Sequence, residues 1–408
     1  MGEWVEQFAL GQGGHLRVDQ RAGAVRIKGV PGEIATVKGT WPGTAEMAER
    51  LHLSHRPGIL EVEVQAESHG WFGFQTDRNP VDLQIEVPVG TVCSIETGSG
   101  PTEVVGTGAG VRLDAGSGPI LLRQVGNVHL DGGSGQVLID QAVGELKLDL
   151  GSGPLVVRHV SGSLTIDAGS GNQLLEAIQG PTRINVGSGR VEIRGCQSPD
   201  LRIEAGSGEL RLHDLDVQNL SAETGSGRLL VDLVRIAPMG RYQIDTGSGG
   251  VTVQLPVDAD LDLNLDYEGG RLELGGLPVQ VTEQERGEMR GRMGHGGARL
   301  EIETNGGIRL QPRPGESVPH MESACVERQT VRASEAAGWD DPEAVYAERE
   351  AERAERATRR TEFADAETHR LVDRGASPTQ TLEEILDLVA QGKLSPSEAD
   401  LLISRLEE

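Results

Sequence analysis

The sequence predicts a mainly β protein, a single-chain β-solenoid (β-helix) with turns of about 18 residues and Gly-Ser-Gly corners. Three observations predict it. Gly-Ser-Gly triplets recur nine times, their serines are spaced by close to 18 residues, and apolar residues alternate with polar ones around each triplet. Short repeats of constant length are typical of arrays in which each turn buries its apolar face against the next. The central serines are Ser99, Ser117, Ser134, Ser152, Ser170, Ser188, Ser207, Ser226 and Ser248.

The spacing of the apolar residues predicts two short strands per turn. Around Ser117, Val111 and Leu113 precede the triplet at even positions, and Ile120 and Leu122 resume the alternation after it. This is the period of a strand with one buried face. The triplet is then a corner, because glycine reaches positive φ or a close backbone approach at little cost. The serine continues the even count, so we expect its side chain to point inward.

We expect residues 1–312 to form the solenoid, in three parts that differ in how closely they follow the repeat. The expected parts are irregular capping turns in 1–90, regular triplet repeats in 91–275 and atypical last turns in 276–312. Two weaker copies of the repeat, residues 261–274 and 300–310, are expected to extend the array.

After the solenoid, the sequence predicts a linker and helices. Residues 313–340 contain Pro, Gly, Ser and Glu and no alternation, which is typical of a linker. Residues 341–375 predict a charged helix, because pairs such as Glu352 and Arg356 lie four residues apart.

Two capping boxes predict an αα-hairpin in residues 378–408. Thr381 with Glu384 begins the first helix, and Ser395 with Glu398 begins the second. Helices this short bury too little surface to be stable alone. We therefore expect self-association or a protein partner through this segment. The apolar residues expected at the contact are Ile385, Leu386, Val389, Leu394, Leu401 and Leu402.

An acidic row is expected on the outer surface of the solenoid. The position three residues before each serine carries a carboxylate in most repeats, including Asp114, Asp131, Asp149 and Asp167. Odd positions face outward, so stacking would align these carboxylates about 4.8 Å apart. The neighbouring outward row carries Arg112, His129 and Lys147. Two interpretations stay open: a solvated charge ladder in which these rows offset each other, or a row that binds divalent cations or a basic partner.

An apolar stripe is expected on another outer face. The position four residues after the serine should be polar, yet Leu121, Leu138, Val156 and Leu174 occupy it in consecutive repeats. Such a stripe suggests that something covers it. We interpret it as a docking face for a second chain or for the C-terminal helices; the alternative is additional core.

The sequence offers little chemistry. The triplet is not a G-x-S-x-G nucleophile elbow, the glycine-rich segment 106–110 lacks the Gly-Lys-Ser/Thr of a P-loop, and no histidine has metal-ligand spacing with cysteine. We predict a protein that is not an enzyme and needs no cofactor. Cys93 and Cys196 are expected to be buried core thiols, and Cys325 to be exposed.

Charge and hydropathy limit the partners and the location. A formal net charge of −25 argues against nucleic acid as a partner. No apolar run is long enough to span a membrane, and the first residues lack a secretory signal pattern. We therefore expect a cytoplasmic protein.

Two family resemblances follow from these motifs. The repeat rhythm, with IEVPVG (residues 85–90) leading into IETGSG (residues 95–100), resembles the bacterial putative-adhesin β-strand-repeat family, a domain of otherwise unknown function. Residues 392–398 resemble the turn of the short C-terminal (SHOCT-like) oligomerisation hairpins. The resemblance implies a connection with cell-envelope stress responses and the possibility of peripheral association with the envelope.

The expected function is a non-enzymatic scaffold that self-associates or recruits a partner through its C-terminal hairpin. Two alternatives stay open. One is a regulatory or sensor module acting at the cytoplasmic face of the membrane, and the other is a bactofilin-like rod that polymerises end to end.

Overall fold

A computed structural model describes residues 2–42, 50–65 and 80–314, and these residues form β-strands and turns. The charged helix, the hairpin, most of the linker and Cys325 lie outside the described residues. So do the hairpin contact residues Ile385, Leu386, Val389, Leu394, Leu401 and Leu402.

Twenty-seven strands are found in these ranges. They are β1 (Gly2–Ala9), β2 (His15–Ala22), β3 (Val25–Val30), β4 (Ile34–Trp41), β5 (Leu51–Arg56), β6 (Ile59–Val64), β7 (Asp82–Pro88), β8 (Val92–Ser99), β9 (Thr102–Val105), β10 (Val111–Ser117), β11 (Ile120–Val125), β12 (Val128–Gly132), β13 (Val137–Val143), β14 (Leu146–Ser152), β15 (Leu155–Ser161), β16 (Leu164–Ser170), β17 (Gln173–Gln179), β18 (Thr182–Ser226), β19 (Leu229–Leu233), β20 (Arg241–Ser248), β21 (Val251–Leu255), β22 (Leu261–Asp266), β23 (Leu272–Glu273), β24 (Gln280–Glu285), β25 (Glu288–Met293), β26 (Ala298–Thr304) and β27 (Ile308–Pro312).

Two parallel stacks of strands form the regular turns, and they confirm the predicted β-solenoid. The strands that precede the triplets, such as β10, β12 and β14, form stack A; those that follow the triplets, such as β11, β13 and β15, form stack B. The long strand β18 continues from one stack into the other, pairing first with β16 and then with β17. In stack A, Leu113 pairs with Leu130, which pairs with Leu148.

Aliphatic side chains from both stacks fill the interior. Leu113 is 1% exposed and Leu148 is fully buried. Cys93 and Cys196 are free thiols that occupy aliphatic positions in this core, and both are fully buried as predicted. Burial raises the pKa of each thiol to about 12, because the low-dielectric interior disfavours the thiolate.

The triplet glycines are required by the close approach of successive turns. A Cβ on Gly169 would lie 2.6 Å from the carbonyl oxygen of Gly151 in the preceding turn. Gly171 also has a φ of +121°, and its Cβ would overlap the carbonyl oxygen of Gly153. Either contact is too short for a real side chain, so both positions of the triplet exclude larger residues.

The serines of the triplets do not point inward, and that expectation is wrong. Ser170 is half-buried and the other eight central serines are exposed. They do stack in register, as Ser152 does with Ser170 and Ser188. The inward-outward alternation therefore ends at the small residue two positions before the serine, because the two glycines turn the chain before the count can continue.

A second corner lies near the end of the stack B strands, and it uses left-handed backbone. Gln124, Gln141, His159, Ala177 and Asp214 have φ between 52° and 58°, and Gly106 and Gly195 occupy the same position with φ of 73° and 72°. Two consecutive residues face outward here, so the next side chain, such as Val125 or Val160, turns back into the core. This explains why each of these strands carries one further apolar residue three positions, and not two, after the previous buried one.

The two ends of the solenoid are interleaved. The first turn by sequence, β2 and β3, lies between β6/β7 on one side and β8/β9 on the other. At the other end, β26 lies between β20 and β22, and β27 between β21 and β23. The weak copy in residues 300–310 therefore precedes the copy in residues 261–274 along the stack, although it follows it in sequence.

Antiparallel strands close both ends. At the N-terminal end, β5 pairs with β6, β4 pairs with β7, and β1 pairs with β4. At the C-terminal end, β25 pairs with β22 and β24 pairs with β25. The parallel ladder of the regular turns therefore does not continue to the outermost strands.

Candidate functional site

A column of carboxylates runs along the outer face of stack A. Asp114, Asp131, Asp149 and Asp167 are consecutive partners in the parallel register, and none of them is buried. We call this row, with its extensions, the acidic column. Its other members are Glu63, Asp19 and Glu96 on the N-terminal side and Asn185, Glu204, Glu223, Asp245, Glu303 and Asp266 on the C-terminal side.

The acidic column extends further than the sequence predicted. Asp19 pairs with both Glu63 and Glu96, which adds two carboxylates at the N-terminal end. No triplet follows these residues, so the repeat count does not reach them. Each of them does follow a buried valine, Val18 or Val62, and that signal could have found them.

Basic side chains neutralise the column only in part. Glu96 pairs with Arg17 at 3.4 Å, and Glu204 pairs with Arg202 at 2.8 Å and with Arg183 at 3.5 Å. Asn185 donates a hydrogen bond of 2.6 Å from Nδ2 to Oδ1 of Asp167.

The middle of the column keeps its charge. Within the part of the chain that the structure describes, the side chains of Asp114, Asp131 and Asp149 make no hydrogen bond or ion pair. Charges one strand apart repel by about 1 kcal/mol in water, so this stretch is under electrostatic strain.

A shallow groove of about 770 Å³ follows the C-terminal half of the column. Carboxylates form one side, and the triplet glycines leave the other side as bare backbone. Its lining includes Asp149, Asp167, Glu204, Glu223, Asp245, Gly169, Gly187, Gly206, Gly225 and Gly247. Across residues 2–42, 50–65 and 80–314, no group of three or more His, Cys, Asp or Glu side chains is placed to hold one metal ion. The groove offers negative charge along an extended path.

The apolar stripe lies on the outer face of stack B. Leu121 pairs with Leu138, Leu138 with Val156, and Val156 with Leu174. All four side chains are half-buried. Along each strand the immediate neighbours of the stripe residue are buried, and the next outward residues lie two positions away.

A column of alternating charge lies beside the stripe, and the sequence analysis missed it. Arg123, Asp140, Arg158, Glu176 and Arg194 are consecutive partners in stack B. Arg123 lies 3.5 Å from Asp140, Arg158 lies 2.7 Å from Glu176, and Arg194 lies 3.4 Å from Glu176. The signal was available, because these residues recur six positions after each serine. Stack B thus balances its charges, whereas stack A aligns like charges.

In the described ranges, no helix has the length and apolar composition that crossing a bilayer requires.

Comparison with known proteins identifies the central repeats. The family model described as Toastrack DUF4097 matches residues 164–308. Residues 164–308 are therefore similar to the Toastrack family. The match covers stack strands from β16 to the start of β27, including the C-terminal interleaving, and it confirms the resemblance that the repeats of the solenoid predicted. The SHOCT-like resemblance of residues 378–408 stays a prediction.

Solved structures give weaker likenesses to the solenoid. A putative adhesin from Parabacteroides distasonis is 12% identical with a TM-score of 0.36, and the alignment covers 76% of this chain and 97% of that one. A putative adhesin from Parabacteroides merdae is 9% identical with a TM-score of 0.33, covering 76% and 95%. A putative lipid binding protein from Parabacteroides distasonis is 11% identical with a TM-score of 0.29, covering 76% and 94%. No curated protein matches the sequence.

Proposed function

We propose that this protein is a non-enzymatic scaffold whose solenoid presents rows of like side chains to another macromolecule, while residues 378–408 bring in a second copy or a partner. The observation that carries the proposal is the acidic column. Its carboxylates stand in register on consecutive strands over most of the solenoid.

The contrast between the two stacks supports a role for this charge. Stack B alternates Arg with Asp or Glu in one column, which lowers its electrostatic energy. Stack A keeps Asp114, Asp131 and Asp149 adjacent although they repel each other. A row of fixed negative charges next to an open groove complements an extended, positively charged segment of another protein.

The ends of the solenoid argue against the polymerising alternative. End-to-end stacking of such an array would continue the parallel ladder from one copy to the next. Within the described ranges, both ends change to antiparallel strands, with β5 and β1 outermost at one end and β24 at the other. We therefore do not propose a bactofilin-like filament.

Binding of an oligolysine peptide tests the role of the acidic column. We expect the triple variant Asp131→Asn, Asp149→Asn, Asp167→Asn to lose most of the binding measured by calorimetry. The matched control removes three carboxylates from stack B, Asp140→Asn, Glu176→Gln and Glu192→Gln, and should keep it. Equal loss in both variants would mean that net charge, and not the column, attracts the peptide.

Light scattering on the full chain tests the hairpin. We expect Leu386→Glu with Leu402→Glu to reduce the molar mass of the assembly. The control Glu383→Lys changes the charge at a predicted polar position of the same helix and should leave the mass unchanged. An unaltered mass in the double variant would remove the hairpin from the proposal.

A further inference from the structure

Four consecutive turns of stack B carry a surface patch that differs from the rest of this face. It has three outward columns, which we call the four-turn patch. The first column is uncharged, the second is the apolar stripe, and the third alternates in charge. Its residues are Pro119, Gln136, Pro154 and Asn172; Leu121, Leu138, Val156 and Leu174; and Arg123, Asp140, Arg158 and Glu176.

The patch has defined limits along the stack. Glu103 precedes Leu121 in the register, and Glu192 follows Leu174. Each of these carboxylates already has a cation: Glu103 lies 3.9 Å from Arg26, and Glu192 pairs with Arg194. The apolar stripe is therefore bounded at each end by a carboxylate that is already paired with an arginine.

The arrangement of the patch is self-complementary. A two-fold axis that runs along the strands, midway between the strands of Leu138 and Val156, reverses the order of the four turns. It places Leu121 opposite Leu174 of a second copy, and Leu138 opposite Val156. The same operation places Arg123 opposite Glu176 and Asp140 opposite Arg158, so every charge in the third column meets its opposite.

The parallel arrangement lacks this match. A two-fold axis along the stacking direction would place each charged column opposite the uncharged column of the other copy. The carboxylates and guanidiniums would then lose water without gaining a partner across the interface. In the antiparallel arrangement the opposite charges would instead join existing ion pairs into networks. The pair of Arg123 and Asp140, for example, would meet the pair of Arg158 and Glu176 of the second copy.

We infer that the four-turn patch is an interface between two antiparallel copies of this chain. The axis passes between the strands β13 and β15, and the interface is isologous, so each copy uses the same surface. This contact differs from the proposed association through residues 378–408 and does not depend on it.

The size of the patch predicts a weak contact. Four strands at about 4.8 Å and five residues at about 3.3 Å give roughly 300 Å² per copy. Stable interfaces bury about 800 Å² per partner, so the contact alone should be transient. Joining two chains through another segment would raise the local concentration and strengthen it.

Crosslinking of introduced thiols in the full chain tests the register of the interface. The variant carries Leu121→Cys and Leu174→Cys, with Cys325→Ser to remove the thiol outside the described residues. These two positions are three strands apart, about 14 Å, in one chain. Sheets that pack face to face lie about 10 Å apart, beyond the Cα separation of about 7 Å that a disulfide allows, so the reagent is a short bismaleimide that spans the interface but not the distance within one chain.

We expect the bismaleimide to give a covalent dimer of this variant. A mixture of the two single-cysteine chains should give the mixed dimer, while each single variant alone should give little. Self-crosslinking of Leu121→Cys alone would indicate the parallel arrangement and overturn the proposal. Absence of any crosslinked dimer at high protein concentration would also overturn it.

Sedimentation gives a second measure without new cysteines. The variant Leu138→Glu with Val156→Glu should lose the concentration-dependent association that remains after the hairpin contact is disrupted by Leu386→Glu and Leu402→Glu. The control Leu230→Glu changes a half-buried leucine in the same outward column outside the patch, and should keep that association. A Leu138→Glu, Val156→Glu protein that is folded by circular dichroism and associates like its parent would contradict the proposal.

Discussion

Arg313 binds the buried carboxylate of Asp232 with two hydrogen bonds. Its Nε donates to Oδ1 at 2.6 Å, and its Nη2 donates to Oδ2 at 3.1 Å. Asp232 is only 5% exposed, and Nη2 also reaches Asp214 at 2.9 Å. Arg313 follows the last strand, β27, so this bidentate pair fastens the end of the solenoid to β18 and β19.

Removal of this arginine should destabilise the fold strongly. Arg313→Met leaves the Asp232 carboxylate buried without its cation, and we expect a loss of about 3 kcal/mol in the free energy of unfolding. The double variant Arg313→Met, Asp232→Leu should recover much of this loss, because it removes both charges. Asp214→Asn, at the exposed partner, should cost less than about 1 kcal/mol. Urea denaturation measures all three, and equal stability of Arg313→Met and wild type would exclude the fastening role.

The left-handed position of the second corner predicts two opposite effects. Ala177 has φ of 55°, and Gly195 occupies the same position in the next turn with φ of 72°. Ala177→Gly should stabilise the protein by up to about 1 kcal/mol by relieving backbone strain, and Gly195→Ala should destabilise it by a similar amount. A Cβ on Gly195 has no neighbour closer than 4.0 Å, so the effect isolates conformation from packing. Thermal melting of the two variants would refute this account if they shifted in the same direction.

Repulsion within the acidic column should be measurable as stability. Asp131→Asn, which imitates Asn185 further along the column, should raise the free energy of unfolding by a few tenths to about 1 kcal/mol. The gain should shrink as sodium chloride screens the remaining charges. Magnesium at matched ionic strength distinguishes screening from binding. A larger rise in melting temperature with magnesium in the wild type, absent in Asp131→Asn, would favour a cation site over a solvated ladder.

The buried thiols predict a dependence on alkaline pH. The pKa of Cys93 and of Cys196 is about 12 in the folded state, against an ordinary value of 9.0. The folded state therefore holds these protons more tightly than the unfolded state. Their contribution to stability is complete below pH 9 and is lost as the pH rises toward 12. Cys93→Ala with Cys196→Ala should flatten the stability profile in this range.

Alkylation gives an independent check of the same burial. In the native protein at pH 8, iodoacetamide should spare both core thiols, because neither forms an appreciable thiolate. Peptide mapping after labelling in urea should show both residues modified. Native labelling of Cys93 at the rate of a free thiol would contradict the buried position.

Features that repeat one residue type at one position could be predicted, and the others could not. Leu113, Leu130 and Leu148 stack as expected because each repeat supplies the same residue type at the same position. The left-handed corner was not predicted, because Gln124, Gln141 and Ala177 are not residue types that favour positive φ. The pair of Arg313 with Asp232 joins residues 81 apart in sequence and follows no repeat.

The acidic column and the direction of the serine side chains also show how far the repeat pattern predicts the structure. The carboxylates from Asp114 to Asp167 were predicted from the period, whereas Asp19 and Glu63 were not, since the interleaved end brings them into line. The serine side chains were predicted inward because alternation was carried through the corner. Alternation holds only while the backbone stays extended, and the glycines interrupt it.

The interleaved ends determine when this chain can finish folding during synthesis. The strand β2 is made first, but its second neighbour, β8, exists only after residue 99 has left the ribosome. The strand β22 likewise waits for β26, which must enter between β20 and β22. The solenoid therefore cannot assemble turn by turn from its amino terminus. A nascent chain arrested before residue 298 would contain every regular turn. It would still lack β26, the strand that joins β22 to β20.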